Sequence, residues 1–270
     1  MLIGRFLGAL VAACVLSLPA AAQIKDLVPH RALYKIRPAP TAAGTLPVNA
    51  AGSIAYELKQ TCDGLEWRQH MELSASGSGQ GIRLEQTWTG AESFDGRRYR
   101  FETRSTADGA TQPVIRGSAE MKDGGAGEAR FTSPAARTIA LPAGTLFPMA
   151  AVARGLADHR AGKDGFDYKV FIGEKPEPPL RMTGILGIAP RRARELPPPQ
   201  GDADLIAGKA AFYMHMSFFD SDEKDAIEPS HTWGSAMLDS GIEILGVQTA
   251  GQLRFEYVLE RIEKIPMPKC

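Results

Sequence analysis

Five histidines, His30, His70, His159, His215 and His231, are the natural carriers of acid–base or metal chemistry in this chain. Their spacing supplies neither. No HxH, HExxH or HxxxH places two imidazoles at ligand distance, so no metal site is expected. His70 belongs to the polar face of its strand, and His215 lies opposite a Phe/Met face. A serine nucleophile wants a GxSxG elbow between strand and helix, and Gly52-Ser53-Ile54 and Gly117-Ser118-Ala119 both miss that pattern. Gly77-Ser78-Gly79-Gln80-Gly81 has the look of a phosphate loop but joins two strand patterns, with no helix N-terminus to hold an anion. The run Asp220-Ser221-Asp222-Glu223-Lys224-Asp225 opens like a calcium loop. It lacks glycine at its sixth position, and His231 stands at the twelfth where a bidentate carboxylate belongs. The expectation is therefore no catalytic residue, no metal and no cofactor. A hydrolase whose site is assembled from distant residues is the remaining enzymatic alternative.

The three cysteines divide by position. Cys14 falls in a leader: Arg5 is the only charge among the first 22 residues, an apolar run spans Phe6 to Leu18, and Ala20-Ala21-Ala22 follows Pro19. The run is too short for the ~20 residues of a membrane span, and the small residues suit signal peptidase cleavage after Ala22. Residues 1–22 are thus expected to leave, giving an exported, soluble chain that begins at Gln23. A lipoprotein signal at Val11-Ala12-Ala13-Cys14 is the rival reading. Cys62 and Cys270 then remain, an even pair that in an exported chain reads first as a disulfide and otherwise as two free thiols.

The elements that must position these groups are strands. Leu65, Trp67, Gln69, Met71 and Leu73 alternate with Glu66, Arg68, His70 and Glu72. Ile54/Tyr56/Leu58, Ile82/Leu84/Trp88, Tyr99/Phe101, Phe166/Tyr168/Val170/Ile172, Phe212/Met214/Met216/Phe218 and Leu253/Phe255/Tyr257/Leu259 repeat the period of two. Asp63-Gly64, Asp95-Gly96, Asp108-Gly109 and Asp123-Gly124-Gly125 punctuate them as tight turns. Acidic residues between apolar ones read as the wet face of a half-buried sheet. One segment differs: Met149, Val152, Ala153 and Leu156 fall at i, i+3, i+4 and i+7, which predicts a central helix over about 149–161. Residues 175–203, with Pro197-Pro198-Pro199, read as a Pro/Arg-rich loop within one domain spanning 23–270. The pattern predicts a mainly β single domain, an antiparallel meander, sandwich or barrel.

Composition narrows the function. Lys plus Arg and Asp plus Glu are both 31, which argues against nucleic acid as a partner. Aromatic residues at 7% are few for a stacking surface. A wrapped sheet can enclose an apolar cavity, and Phe212, Met214, Met216 and Phe218 would line one unless they simply fill the core.

His30-Arg31-Ala32-Leu33-Tyr34, Cys62-Asp63-Gly64 followed by Trp67, Leu141-Pro142-Ala143-Gly144-Thr145-Leu146-Phe147-Pro148 and the terminal Cys270 occur in order. Together they resemble the EipB-like family of α-proteobacterial envelope proteins, long known as a domain of unknown function, over about His30 to Cys270. The resemblance implies a periplasmic meander wound into a β-spiral that approximates a barrel, with Cys62 paired to Cys270. It also implies a non-enzymatic role in envelope integrity, exercised by binding an envelope protein, peptide or lipid. A lipid or lipoprotein carrier with an apolar cavity is the transport-class alternative. Met149-Ala150-Ala151 and the stretch from Arg191 to Gly201 depart from the family pattern.

Overall fold

The structure is a computed structural model that describes residues 24–40, 49–77, 80–123, 125–220, 227–251 and 253–270. The expected leader, with its cleavage point after Ala22, lies outside these residues, as do Ser78, Gly79 and Gly124 of the expected turns and the Ser221–Asp225 part of the acidic run. In chain order the first strands are β1 (His30–Pro38), β2 (Asn49–Gln60), β3 (Gly64–Gly77), β4 (Gln80–Ser93) and β5 (Arg98–Ala107). The short β6 (Ala110–Thr111), β7 (Ile115–Met121), β8 (Gly127–Ser133), β9 (Arg137–Leu141) and β10 (Thr145–Leu146) follow. Helix α1 (Pro148–Arg160) comes next, then β11 (Gly165–Val170), β12 (Leu180–Ile188), helix α2 (Arg191–Arg194) and β13 (Gln200–Gly201). The chain finishes with β14 (Ala211–Phe219), β15 (His231–Leu238), β16 (Glu243–Ala250) and β17 (Leu253–Lys264).

All these strands belong to one sheet of 17, nearly closed into a barrel. Neighbouring strands pair antiparallel except at β10–β11 and β13–β17. The ends of the chain meet inside the sheet, because β1 is sandwiched between β2 and β17. Among the described residues β9 pairs only with β8 and β10 only with β11, so the two ends of the ribbon come from the middle of the chain, with the two-residue β6 and β13 as one-sided additions. A ribbon whose edges overlap without joining is a spiral. The mainly β expectation with one central helix holds, and α1 begins at Pro148, where proline's missing N–H costs nothing.

Period-two burial explains why the ribbon closes. Along β14, Phe212, Met214, Met216 and Phe218 are buried while the residues between them are only partly so. Tyr99, Phe101, Phe131, Phe147 and Phe171 form a second cluster that seals the seam near β9 and β10. Two of the expected turns use a positive φ: Gly96 at 68°, and Asp108 with Gly109 at 50° and 83°, which reverse β5 into β6, whereas Gly64 opens β3 without one.

One expectation needs correction. Residues 175–203 are not all loop, because β12 occupies Leu180–Ile188 and pairs with both β11 and β14. Its apolar alternation is interrupted at Gly184, where a Cβ would lie 2.3 Å from the Phe166 ring, so packing demands glycine where the pattern wants an apolar residue. The Pro/Arg-rich remainder lies against the outside of the sheet. Ala189 and Ala193 pack on Ala236 and Leu245, and β13 adds to β17. Arg192 and Arg37 each donate to the buried Glu256 carboxylate at 2.7 Å.

Cys62 and Cys270 are joined by a disulfide with Cα atoms 5.6 Å apart. The tail beyond β17 is thereby fastened to the turn between β2 and β3.

Candidate functional site

The side chains that sequence reasoning nominated as a cavity lining are packed. Phe212, Met214, Met216 and Phe218 join Leu58, Leu65 and Leu156 in one cluster beneath α1. A Cβ on Gly155 of α1 would lie 2.8 Å from Met214 Cε, which shows how closely the helix sits. His159 stacks on Phe212 at 4.0 Å and His231 on Phe218 at 4.3 Å. The histidines are dispersed: His70 Nδ1 lies 2.8 Å from Thr87 Oγ1, and His30 Nδ1 lies 2.7 Å from the Val28 carbonyl. Among the described residues no three His, Cys, Asp or Glu side chains gather as a metal set.

What the fold does gather is a band of aromatic and amide side chains on the inner wall. Register places Tyr56 opposite Gln69 and Gln69 opposite Trp88, a row that crosses β2, β3 and β4 and ends on the buried Thr103 of β5. Trp67 and Gln86 flank it diagonally. On the far wall Trp233 of β15 stands opposite Gln248 of β16. Tyr56, Trp67, Trp88 and Trp233 pack against the core clusters, so all three tryptophans of the chain face inward. Each of them, like each of the three glutamines, nevertheless keeps part of its surface open. The side-chain amides of Gln69, Gln86 and Gln248 make no hydrogen bond to any described residue. Trp67 lies across Gly90, where a Cβ would be 2.4 Å from its Nε1, so glycine is required beneath the ring. The buried Trp67 indole N–H also lacks a partner among the described residues, and that of Trp88 makes no hydrogen bond of ordinary geometry, although it faces the Glu174 carboxyl.

Three carboxylates border this band. Glu243 accepts a hydrogen bond from Tyr257 Oη at 2.9 Å and one from Trp233 Nε1 at 3.2 Å, while Tyr34 Oη donates to its main-chain oxygen at 3.1 Å. Burial pushes the Glu243 carboxyl up to about 7 against the pull of those donors. Glu92, 2% exposed, receives the Met149 and Ala150 N–H groups at 2.8 Å each. It is the cap that Phe147, the residue preceding α1, cannot provide. Burial raises Glu92 to about 8, the two N–H bonds opposing the shift. Glu174 is raised by burial too, with Lys175 and the Trp88 indole opposing. These carboxylates were expected on the wet face of the sheet. Parity carried the missed signal for one of them: Trp88, Gly90 and Glu92 share a face, and that face is the inner one.

A continuous, nearly closed sheet with a polar-aromatic band on its inner wall, stapled at its tail, defines a β-barrel-like protein. The sequence profile of the EipB-like family matches residues 21–266, and the chain belongs to that family. Its fold is similar to a crystal structure of a β-barrel-like protein of a domain of unknown function from Brucella abortus. The two share 19% identity with a TM-score of 0.75, over 89% of this chain and 99% of that one. No curated relative matches the chain.

Proposed function

We propose that this protein is exported to the periplasm with its leader removed after Ala22, and that it supports envelope integrity by binding rather than by catalysis. Its partner in this reading is an envelope protein, a peptide or a lipid. The supporting observation is the inner wall itself. Side chains with unused hydrogen-bonding capacity, Gln69, Gln86 and Gln248, sit beside partly open aromatic rings. These amides are not spent on the fold, and a bound molecule can use them as donors and acceptors at once.

The test has two arms. Cell fractionation with N-terminal sequencing should find a mature chain starting at Gln23 in the periplasm. A strain lacking the gene should become sensitive to detergent and regain resistance from a copy carrying His→Ala changes at all five histidines. A cytoplasmic protein, or failure of that histidine-free copy to complement while folding normally, would overturn the reading.

A further inference from the structure

The chemistry of the lumen selects among ligand classes, and this step rests on the binding reading above. Two cross-strand Gln–Trp pairs, Gln69 opposite Trp88 and Gln248 opposite Trp233, repeat one arrangement on two walls. An amide both donates and accepts, so it matches groups that do the same. An acyl chain has no such groups and would strand three amides. The rows flanking the first pair, Leu58–Trp67–Gly90–Phe101 and Ile54–Met71–Gln86–Ser105, contribute no cation. The groups bordering the band include the carboxyls of Glu92, Glu174 and Glu243, which burial holds towards the neutral form and which offer an anionic headgroup no positive clamp. An extended peptide is recognised chiefly through unused main-chain groups at a sheet edge. Here the strands carrying the band are paired on both sides, and the sheet's edges, β9 and β10, lie elsewhere.

A neutral, ring-shaped ligand dense in hydroxyls and amides fits what remains. Trp67, laid across Gly90, offers a flat support of the kind on which a sugar ring sits. We infer that the lumen between the β3–β4 and β15–β16 walls is a binding site for a neutral oligosaccharide. Ring faces hold it by stacking, and Gln69, Gln86 and Gln248 hydrogen-bond its hydroxyl and N-acetyl groups. The low aromatic content does not oppose this, because all three tryptophans serve one surface.

That concentration makes the experiment clean, since intrinsic tryptophan fluorescence reports on the lumen alone. The full mature protein is titrated with an N-acetylglucosamine tetramer and with cellotetraose, followed by fluorescence and calorimetry. A dansylated fatty acid and a neutral decapeptide serve as comparison probes. The expected result is saturable quenching with one or both tetrasaccharides. The paired change Gln69→Leu with Gln248→Leu should weaken it at least tenfold with the thermal unfolding midpoint retained or raised. If that pair fails to fold, Gln86→Leu alone should weaken binding at least threefold. No response to either sugar at millimolar concentration, or binding indifferent to the glutamines, overturns the inference. Saturation by the decapeptide or the fatty acid instead also overturns it, while leaving the broader binding reading standing. Silence from every probe, joined to failed complementation, counts against both.

Discussion

Replacing Glu92 by glutamine tests whether a buried carboxylate governs how α1 is held. The wild-type carboxyl sits almost wholly out of water, and its folded-state value of about 8 compares with an ordinary 4.5. A group raised on folding binds its proton more tightly in the native state. Its contribution is therefore complete below about pH 4.5 and is lost as pH rises through about 8. At roughly 1.4 kcal/mol per pH unit, the largest loss across that window is about 5 kcal/mol. The amide introduced by Glu92→Gln cannot ionise, and its carbonyl oxygen still accepts one of the two N–H groups, from Met149 or Ala150. Urea unfolding of both proteins at pH 5, 7 and 9 isolates the effect, because other titrating groups such as Glu243 and His30 cancel in the difference. The difference should favour wild type or lie near zero at pH 5 and swing towards the variant by several kcal/mol at pH 9. Parallel stability curves across that range would refute the reasoning: they would mean that the two N–H bonds fully offset burial. The complementary change Glu92→Leu removes the acceptor and leaves two N–H groups unpaired, a loss of about 2–5 kcal/mol at every pH.

Two further outcomes follow from the covalent and steric arrangement. Cys62→Ser opens a loop spanning a separation of 208 residues, and the chain-entropy model assigns such a loop about 5 kcal/mol. The urea midpoint should fall by a matching amount, and wild-type protein should take up alkylating agent at Cys62 and Cys270 only after reduction. Equal midpoints with and without reductant would remove the staple from the account. Gly90→Val places a side chain where the Trp67 ring now lies, with a Cβ only 2.4 Å from ring atoms. Trp67 must swing away, so the emission spectrum should shift while strand content by circular dichroism stays close to wild type. An unshifted spectrum would contradict the placement of the ring.

The fold was legible because its signals are local and repeated. Alternation on segments such as Leu65–Leu73 fixes which face is buried, and Asp108-Gly109 can reverse the chain in one step because its φ angles of 50° and 83° suit glycine and aspartate. Strand β12 was hidden for an equally local reason: a tertiary neighbour, the Phe166 ring, dictated Gly184 and erased one beat of the pattern. The candidate site was harder to see. Period two assigns Trp67, Gln69 and Met71 to one face, yet it does not say that a wall from much later in the chain will present Trp233 and Gln248 towards the same space. Only closure through β1, paired to β2 and β17 at once, turns one inner face towards another.

That closure also separates the two halves of the inner surface by purpose. Under α1 the side chains are apolar and packed, and Phe212, Met214, Met216 and Phe218 leave the helix no slack. The rows carrying Gln69, Gln86 and Gln248 forgo such packing, although neighbouring positions hold Leu58, Ile54, Met71 and Phe255 without difficulty. Three leucines in their place would deepen the core by about 1–3 kcal/mol each from apolar burial alone. A chain that already depends on a disulfide to hold its tail gives up that stabilisation on both walls, at matching Gln–Trp pairs. The concession is intelligible when the amides meet a ligand, because each hydrogen bond then formed is made in an enclosed site where water competes poorly.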